Sequence, residues 1–274
     1  MKAICKPAVP ILLSAVFFVM ALSARAEETG FLNRSVKIGA ETYLYQVYVP
    51  REWNKSRKWP VILFLHGAGE RGDDGFVQTE VGIGGAIRRY VDRFPAVVVM
   101  PQCRKNLWWT QDAMQEQALA AFEQSVREFN GDPAQFYLTG LSMGGYGTWS
   151  IASKHPGKFA ALVPICGGIR PPPRVQIPDA DKVADPNVDP YAAAAKKIGK
   201  TPIWIFHGGA DPVVPPDESR KMSEALKAAG GNVKYTEYEN VGHNSWDKAY
   251  AETELMKWLL GQSLKTVNST TSEK

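Results

Sequence analysis

The chain of 274 residues is 45% hydrophobic and 22% charged, with a formal net charge of +4. That length fits one large α/β domain with a sizeable core. Lys2, Lys6 and Arg25 lie in an N-terminal segment without acids, so the rest of the chain is close to neutral and a nucleic-acid partner gains no support.

Lys2 and Lys6 are followed by an apolar run, Ala8 to Leu22, broken only by Pro10 and Ser14, and then by Ala24-Arg25-Ala26. This is the layout of a secretory signal peptide, with cleavage expected after Ala26 and no membrane association afterwards. A spanning helix would want ~20 apolar residues, more than this run supplies. Cys5 precedes the run and is not placed as a lipoprotein cysteine. The expected destination is the periplasm or the medium, where Cys103 and Cys166 would meet oxidising conditions.

Residues 31–38 and 43–49 read as an edge hairpin, with Tyr43, Tyr45, Val47 and Val49 alternating with polar or smaller residues. Val61 to Leu65 is a continuous apolar run ending in His66-Gly67, the pattern of a central parallel strand buried on both faces. Ile83, Ile87 and Val91 recur at helical spacing, and Ala96 to Met100 is a second buried strand. Leu119, Phe122, Val126 and Phe129 mark one face of a helix over 113–129, stopped by Asn130-Gly131-Asp132-Pro133. A strand over Phe136 to Gly140, a helix to about Lys154 and a strand over 159–166 follow.

Ile169 to Lys200, with Pro171-Pro172-Pro173 and several aspartates, reads as an irregular insertion holding one short helix, either a small cap over the site or a solvated excursion. A strand over 202–206, a helix over 217–229 ended by Gly230-Gly231, a strand over 233–238 and a closing helix over 246–260 complete the pattern. Residues 27–262 form the expected domain, and the polar tail, 263–274, is expected to be disordered. Alternating strands and helices imply a mostly parallel sheet with helices on both faces, whose sites form at the carboxyl ends of the strands.

Gly140-Leu141-Ser142-Met143-Gly144 is a G-x-S-x-G sequence between a strand and a helix, the context of a nucleophile elbow. The turn is too sharp for side chains on either flank, so glycines let strand and helix close up. A serine hydroxyl needs a base, and the base an orienting acid. Of four histidines, His66 and His207 directly follow strands and His155 sits beside a proline at a helix end. His243, in the loop between the last strand and last helix, can approach from the top of the sheet as the base. Asp211, just after the strand ending at His207-Gly208, is the acid, ahead of Asp217 and Glu218, which suit the first turn of a helix. The chain order Ser142, Asp211, His243 is that of α/β-hydrolases. Two N–H groups must hold the oxyanion: Met143, after the nucleophile, and Ala68, with Gly69 as alternate, in the loop after His66.

These segments, with His66-Gly67-Ala68-Gly69-Glu70-Arg71-Gly72 and Pro101-Gln102, resemble the secreted α/β-hydrolases called predicted peptidases. Those are related to dienelactone hydrolases, prolyl-oligopeptidase catalytic domains, feruloyl esterases and polyhydroxybutyrate depolymerases. The resemblance covers roughly Tyr43 to Leu260 and implies the α/β-hydrolase fold, the triad, ester hydrolysis, no metal and no cofactor. It also implies that the strand before His66 and the elbow strand lie between those ending at Cys103 and Cys166, so two unpaired thiols are expected rather than a disulfide. The β-propeller domain with which prolyl oligopeptidases screen peptides has no counterpart in this sequence.

Trp108 and Trp109, at the top of the sheet, are candidates for an aromatic wall against substrate, at least one of them being expected to pack under its loop. Glu70 and Arg71 sit beside the oxyanion loop and Tyr146 one turn after Ser142. No metal-ligand spacing such as H-x-x-x-H is present. The expected function is hydrolysis of small or polysaccharide-linked carboxylic esters through an acyl-enzyme. Three other readings stand beside it: a small-peptide hydrolase, an acyltransferase, and a noncatalytic carbohydrate- or polymer-binding module on a hydrolase scaffold.

Overall fold

The computed structural model describes residues 28–171 and 188–264. The expected cleavage site after Ala26, nearly all of the polar tail and the middle of the 169–200 insertion lie outside the described residues. Eight strands form one sheet: β1 (Gly30–Ile38), β2 (Glu41–Val49), β3 (Trp59–Leu65), β4 (Val97–Pro101), β5 (Gly131–Leu141), β6 (Ala161–Ile165), β7 (Ile203–Gly208) and β8 (Val233–Tyr238). Their order is β1-β2-β4-β3-β5-β6-β7-β8. The β1–β2 and β2–β4 pairs are antiparallel and all others are parallel. The hairpin therefore sits at one edge, and the continuous apolar runs occupy the centre, where both faces are covered.

The helices are α1 (Ile83–Arg89), α2 (Asp112–Glu128), α3 (Met143–Lys154), α4 (Pro190–Ile198), α5 (Asp217–Ala228), α6 (Trp246–Ala251) and α7 (Thr253–Leu260). Strand alternation sends side chains to opposite layers. Val61, Leu63 and Leu65 of β3 belong to the apolar layer shared with α2, α3, α4 and α5. Ile62 and Phe64 belong to the layer shared with α1, α6 and α7. Residues of β4 and β7 divide in the same way, with Ile203 and Ile205 on the first face and Trp204 and Phe206 on the second.

Three expectations need correction. The closing helix is two helices, because Glu252 takes an extended backbone (φ −58°, ψ 123°). That turn lets α7 lay Leu255, Met256 and Leu259 on the sheet, and Arg93 donates 2.8 Å to the Ala251 carbonyl freed by the break. Val91 does not extend α1: Tyr90 leaves helical geometry and Val91 is exposed in a separate 3-10 turn. The elbow strand begins at Gly131, not Phe136, since Gly131 pairs with Trp59 across an irregularity in the β3–β5 register. The short helix expected in the insertion is α4, capped by Asp189, whose carboxylate accepts from Tyr191 N–H.

Cys103 follows β4 and Cys166 follows β6, with β3 and β5 between them, and both are free, buried thiols. Among the described residues no helix is long and apolar enough to cross a membrane.

Candidate active site

Six strand ends supply the site. Ser142 follows β5 with φ 52° and ψ −117°, a strained conformation for a residue with a side chain. Glycine is required on its far side: a Cβ on Gly144 would lie 1.9 Å from Leu65 O. Serine at a helix N-cap usually spends its hydroxyl on the helix amides. Ser142 Oγ makes no such bond and instead lies 2.9 Å from His243 Nε2.

His243 sits in the loop between β8 and α6, edge-on to Trp246. Its Nδ1–H donates to Asp211 Oδ2 at 2.7 Å. Asp211 lies beyond β7 with no exposed side-chain surface. Its other oxygen, Oδ1, accepts the N–H groups of Val213 (2.8 Å) and Val214 (3.0 Å). Burial alone would raise the Asp211 carboxyl. Hydrogen bonds from His207, His243 and the two amides outweigh it and hold the group well below the usual carboxylate range. The carboxylate stays ionised, which is what an orienting acid must do.

The loop after β3 lies against Ser142: a Cβ on Gly67 would be 3.8 Å from Ser142 Cβ. Ala68 opens a 3-10 turn in this loop and Met143 is the first residue of α3. Neither N–H has a hydrogen-bond acceptor among the described residues. The loop is braced from below. His66 is fully buried and donates from Nδ1 to Gly67 O (2.6 Å), while its Nε2 accepts Cys103 N–H (2.9 Å). Burial lowers its pKa to about 4, so the ring is neutral. Arg71 donates from Nε to Ala68 O at 3.0 Å. Glu70 is partly buried, and burial raises its carboxyl.

The two tryptophans part company. Trp109 is fully buried, edge-on to His66, and donates to His66 O at 3.0 Å. It is a strut under the loop and has no surface to offer a substrate, which corrects half of the aromatic-wall expectation. Trp108 is half-buried and packs edge-on against Tyr146, forming a small apolar cluster with Tyr146 and Val214. That cluster adjoins Asp211, because Val214 is one of the two residues whose N–H groups hold its carboxylate.

Two neighbours of Asp211 escaped the sequence reading. His207 Nε2 lies 3.2 Å from Asp211 Oδ2. Its signal was present in His207-Gly208-x-x-Asp211, which puts a histidine at the end of β7 and the acid four residues on. Cys166, with φ 39°, sits behind the triad, and the buried thiol is pushed up to about 12 by burial. Cys166, Asp211 and His243 carry donor atoms within 4.8 Å of one another, the one such trio among the described residues. Asp211 and His243 are committed to each other and the thiol keeps its proton, so the trio suits proton transfer better than a cation.

A mostly parallel eight-stranded sheet, helices on both faces and a serine elbow at the end of β5 define an α/β-hydrolase fold. The dienelactone hydrolase family model matches residues 95–254, more than half of the chain, and the chain belongs to that family. A solved structure described as a thermostable esterase is 34% identical, with a TM-score of 0.71, over 85% of this chain and 63% of its own. A ferulic acid esterase structure shares the fold at 17% identity and a TM-score of 0.65, over 84% of this chain and 97% of its own. An uncharacterized secreted protein of Arthroderma benhamiae is 25% identical over 74% of this chain. An acyl-protein thioesterase 1 of Gibberella zeae is 34% identical over 20% of it. The chain spans 23% of the length of each of these two curated relatives.

Proposed function

We propose that the protein is an exported serine esterase that cleaves carboxylic esters through an acyl-enzyme. The observation that carries this is the unbroken chain from Ser142 Oγ through the His243 ring to the Asp211 carboxylate, at 2.9 and 2.7 Å. His243 Nε2 takes the proton of Ser142 as Oγ attacks the ester carbonyl. The Met143 and Ala68 N–H groups receive the oxyanion, each such donor typically contributing about 10²–10³-fold in turnover. His243 then protonates the departing alcohol and activates the water that releases the acid. Asp211 holds the neutral ring in the Nδ1–H tautomer and stabilises the imidazolium that forms when Nε2 takes the proton. Trp108, packed on Tyr146, is half-buried and has surface left for a substrate.

The likeness to a thermostable esterase and the dienelactone hydrolase family support an ester rather than a peptide substrate. The leader-like residues 1–26 and a relative described as secreted support export, with cleavage after Ala26. The test is hydrolysis of p-nitrophenyl acetate by the purified protein and by Ser142→Ala. A loss of roughly 10⁶-fold is expected on removing the nucleophile. Undiminished cleavage by the variant would overturn the reading.

A further inference from the structure

Asp211 is addressed by a second histidine that the reaction as written does not use. His207 is the penultimate residue of β7 and is fully buried. Its hydrogen-bond surroundings fix its tautomer. Nε2 faces two acceptors, Val214 O at 3.0 Å and Asp211 Oδ2 at 3.2 Å, so it carries the proton and shares it between them. Nδ1 lies 2.6 Å from Ser219 Oγ in α5 and accepts from that hydroxyl. Ser219 is itself buried, so the pair is sealed from water.

Asp211 Oδ2 therefore stands between two imidazoles, with His243 Nδ1–H at 2.7 Å and His207 Nε2–H at 3.2 Å. His207 also reaches the carboxylate indirectly. Its bond to Val214 O pins the turn whose Val213 and Val214 amides hold Oδ1. We propose that His207, backed by Ser219, is a positioning residue that shares the charge of Asp211 and thereby sets the pH range over which His243 serves as the base. This rests on the serine-hydrolase reading of the site.

The physical reason is competition for one carboxylate. Each donor on Asp211 spreads its negative charge and leaves less to stabilise the imidazolium of His243. Removing the His207 donor concentrates that charge on His243, so protonated His243 becomes more stable and the acid limb of the activity moves to higher pH. The Ser219 hydroxyl acts in the same direction, since a ring that accepts at Nδ1 is a better donor at Nε2. Four other titratable groups face this cluster, and Glu218, beside Ser219 in α5, is engaged by the Ile169 and Arg170 amides and the Tyr191 hydroxyl. Cys166 from β6 and Tyr146 from α3 are buried and held protonated. Glu237, the β8 register partner of His207, is engaged by Arg220 and Tyr235.

The test is the rate of labelling by a fluorophosphonate probe, followed from acid to neutral pH in the full chain, its Ser142→Ala variant and three further variants. This readout needs no knowledge of the natural ester. His207→Phe keeps the ring volume without a donor and should move the acid limb up by about half to one pH unit. His207→Gln restores an N–H and should return the limb most of the way. Ser219→Ala, a one-oxygen change that leaves packing almost intact, should move it in the same direction by less, which covers the case in which His207→Phe does not fold. An acid limb identical to the parent in the folded variants, with only the plateau rate lowered, overturns the proposal and leaves His207 a packing residue. Labelling that persists in Ser142→Ala instead overturns the serine-hydrolase reading itself.

Discussion

Gly144→Ala is the sharpest probe of the elbow. The added Cβ would meet Leu65 O at 1.9 Å, Leu65 C at 2.5 Å and His66 O at 2.8 Å, whereas ordinary contact starts at 3.4 Å. Either α3 or the end of β3 must therefore retreat by about 1.5 Å. Neither is a flexible side-chain tip; both are backbone packed into the centre of the sheet. Overpacking against side chains costs about 1–3 kcal/mol, so the backbone clash belongs at about 3 kcal/mol or above. For a domain of this size that lowers Tm by about 6–12 °C. The same retreat separates Ser142 and Met143 from Ala68, and a misplacement of about 1 Å costs on the order of 10²-fold in rate. Thermal melts and p-nitrophenyl acetate turnover of the variant read both effects. Gly69→Ala is the stability control, because a Cβ there meets nothing within 4 Å. Parental Tm and turnover in Gly144→Ala would refute the close approach on which this elbow depends.

Asp211→Asn should keep the fold but lower ester turnover by about 10⁴-fold, because an amide no longer selects the Nδ1–H tautomer of His243; steady-state kinetics measure it. His66 gives a pH signature in stability. Its folded pKa is depressed from 6.5 to about 4 by burial, so below the unfolded value the unfolded chain binds a proton that the folded chain refuses. Stability is full above that value and falls by about 3 kcal/mol as the pH drops toward 4; urea unfolding at neutral and acid pH should show it, and His66→Gln should flatten it. Trp109→Ala opens a buried hole and should cost about 3–5 kcal/mol, whereas Trp108→Ala should change KM and lower the denaturant midpoint by less than Trp109→Ala does. With Cys103 and Cys166 both free, a thiol reductant should leave Tm unchanged.

Much of the fold was legible because its core strands are continuous apolar runs with no competing period. Val61–Leu65, Ala96–Met100 and Pro202–Phe206 are too short for helices and rich in β-branched or aromatic residues, which favours strands buried on both faces, and strands occupy all three. What escaped was decided by tertiary geometry. No glycine or proline marks the break at Glu252; it exists because α7 must turn to meet the sheet. Trp108 and Trp109 are adjacent and chemically identical, and only the path of the loop sends one beneath His66 and the other toward Tyr146. Ser142, Asp211 and His243 were singled out from their places after β5, β7 and β8, and they meet in one hydrogen-bonded chain. His207 was passed over because a histidine at a strand end looks the same whether it fills space or holds a carboxylate.

The central claim is that Ser142 is the nucleophile. Intact-protein mass spectrometry after incubation with a fluorophosphonate tests it most directly, followed by peptide mapping. One adduct per chain, mapped to the peptide carrying Ser142 and lost in Ser142→Ala, is the predicted result. An adduct on another residue, or ester turnover with Ser142 unmodified, contradicts it.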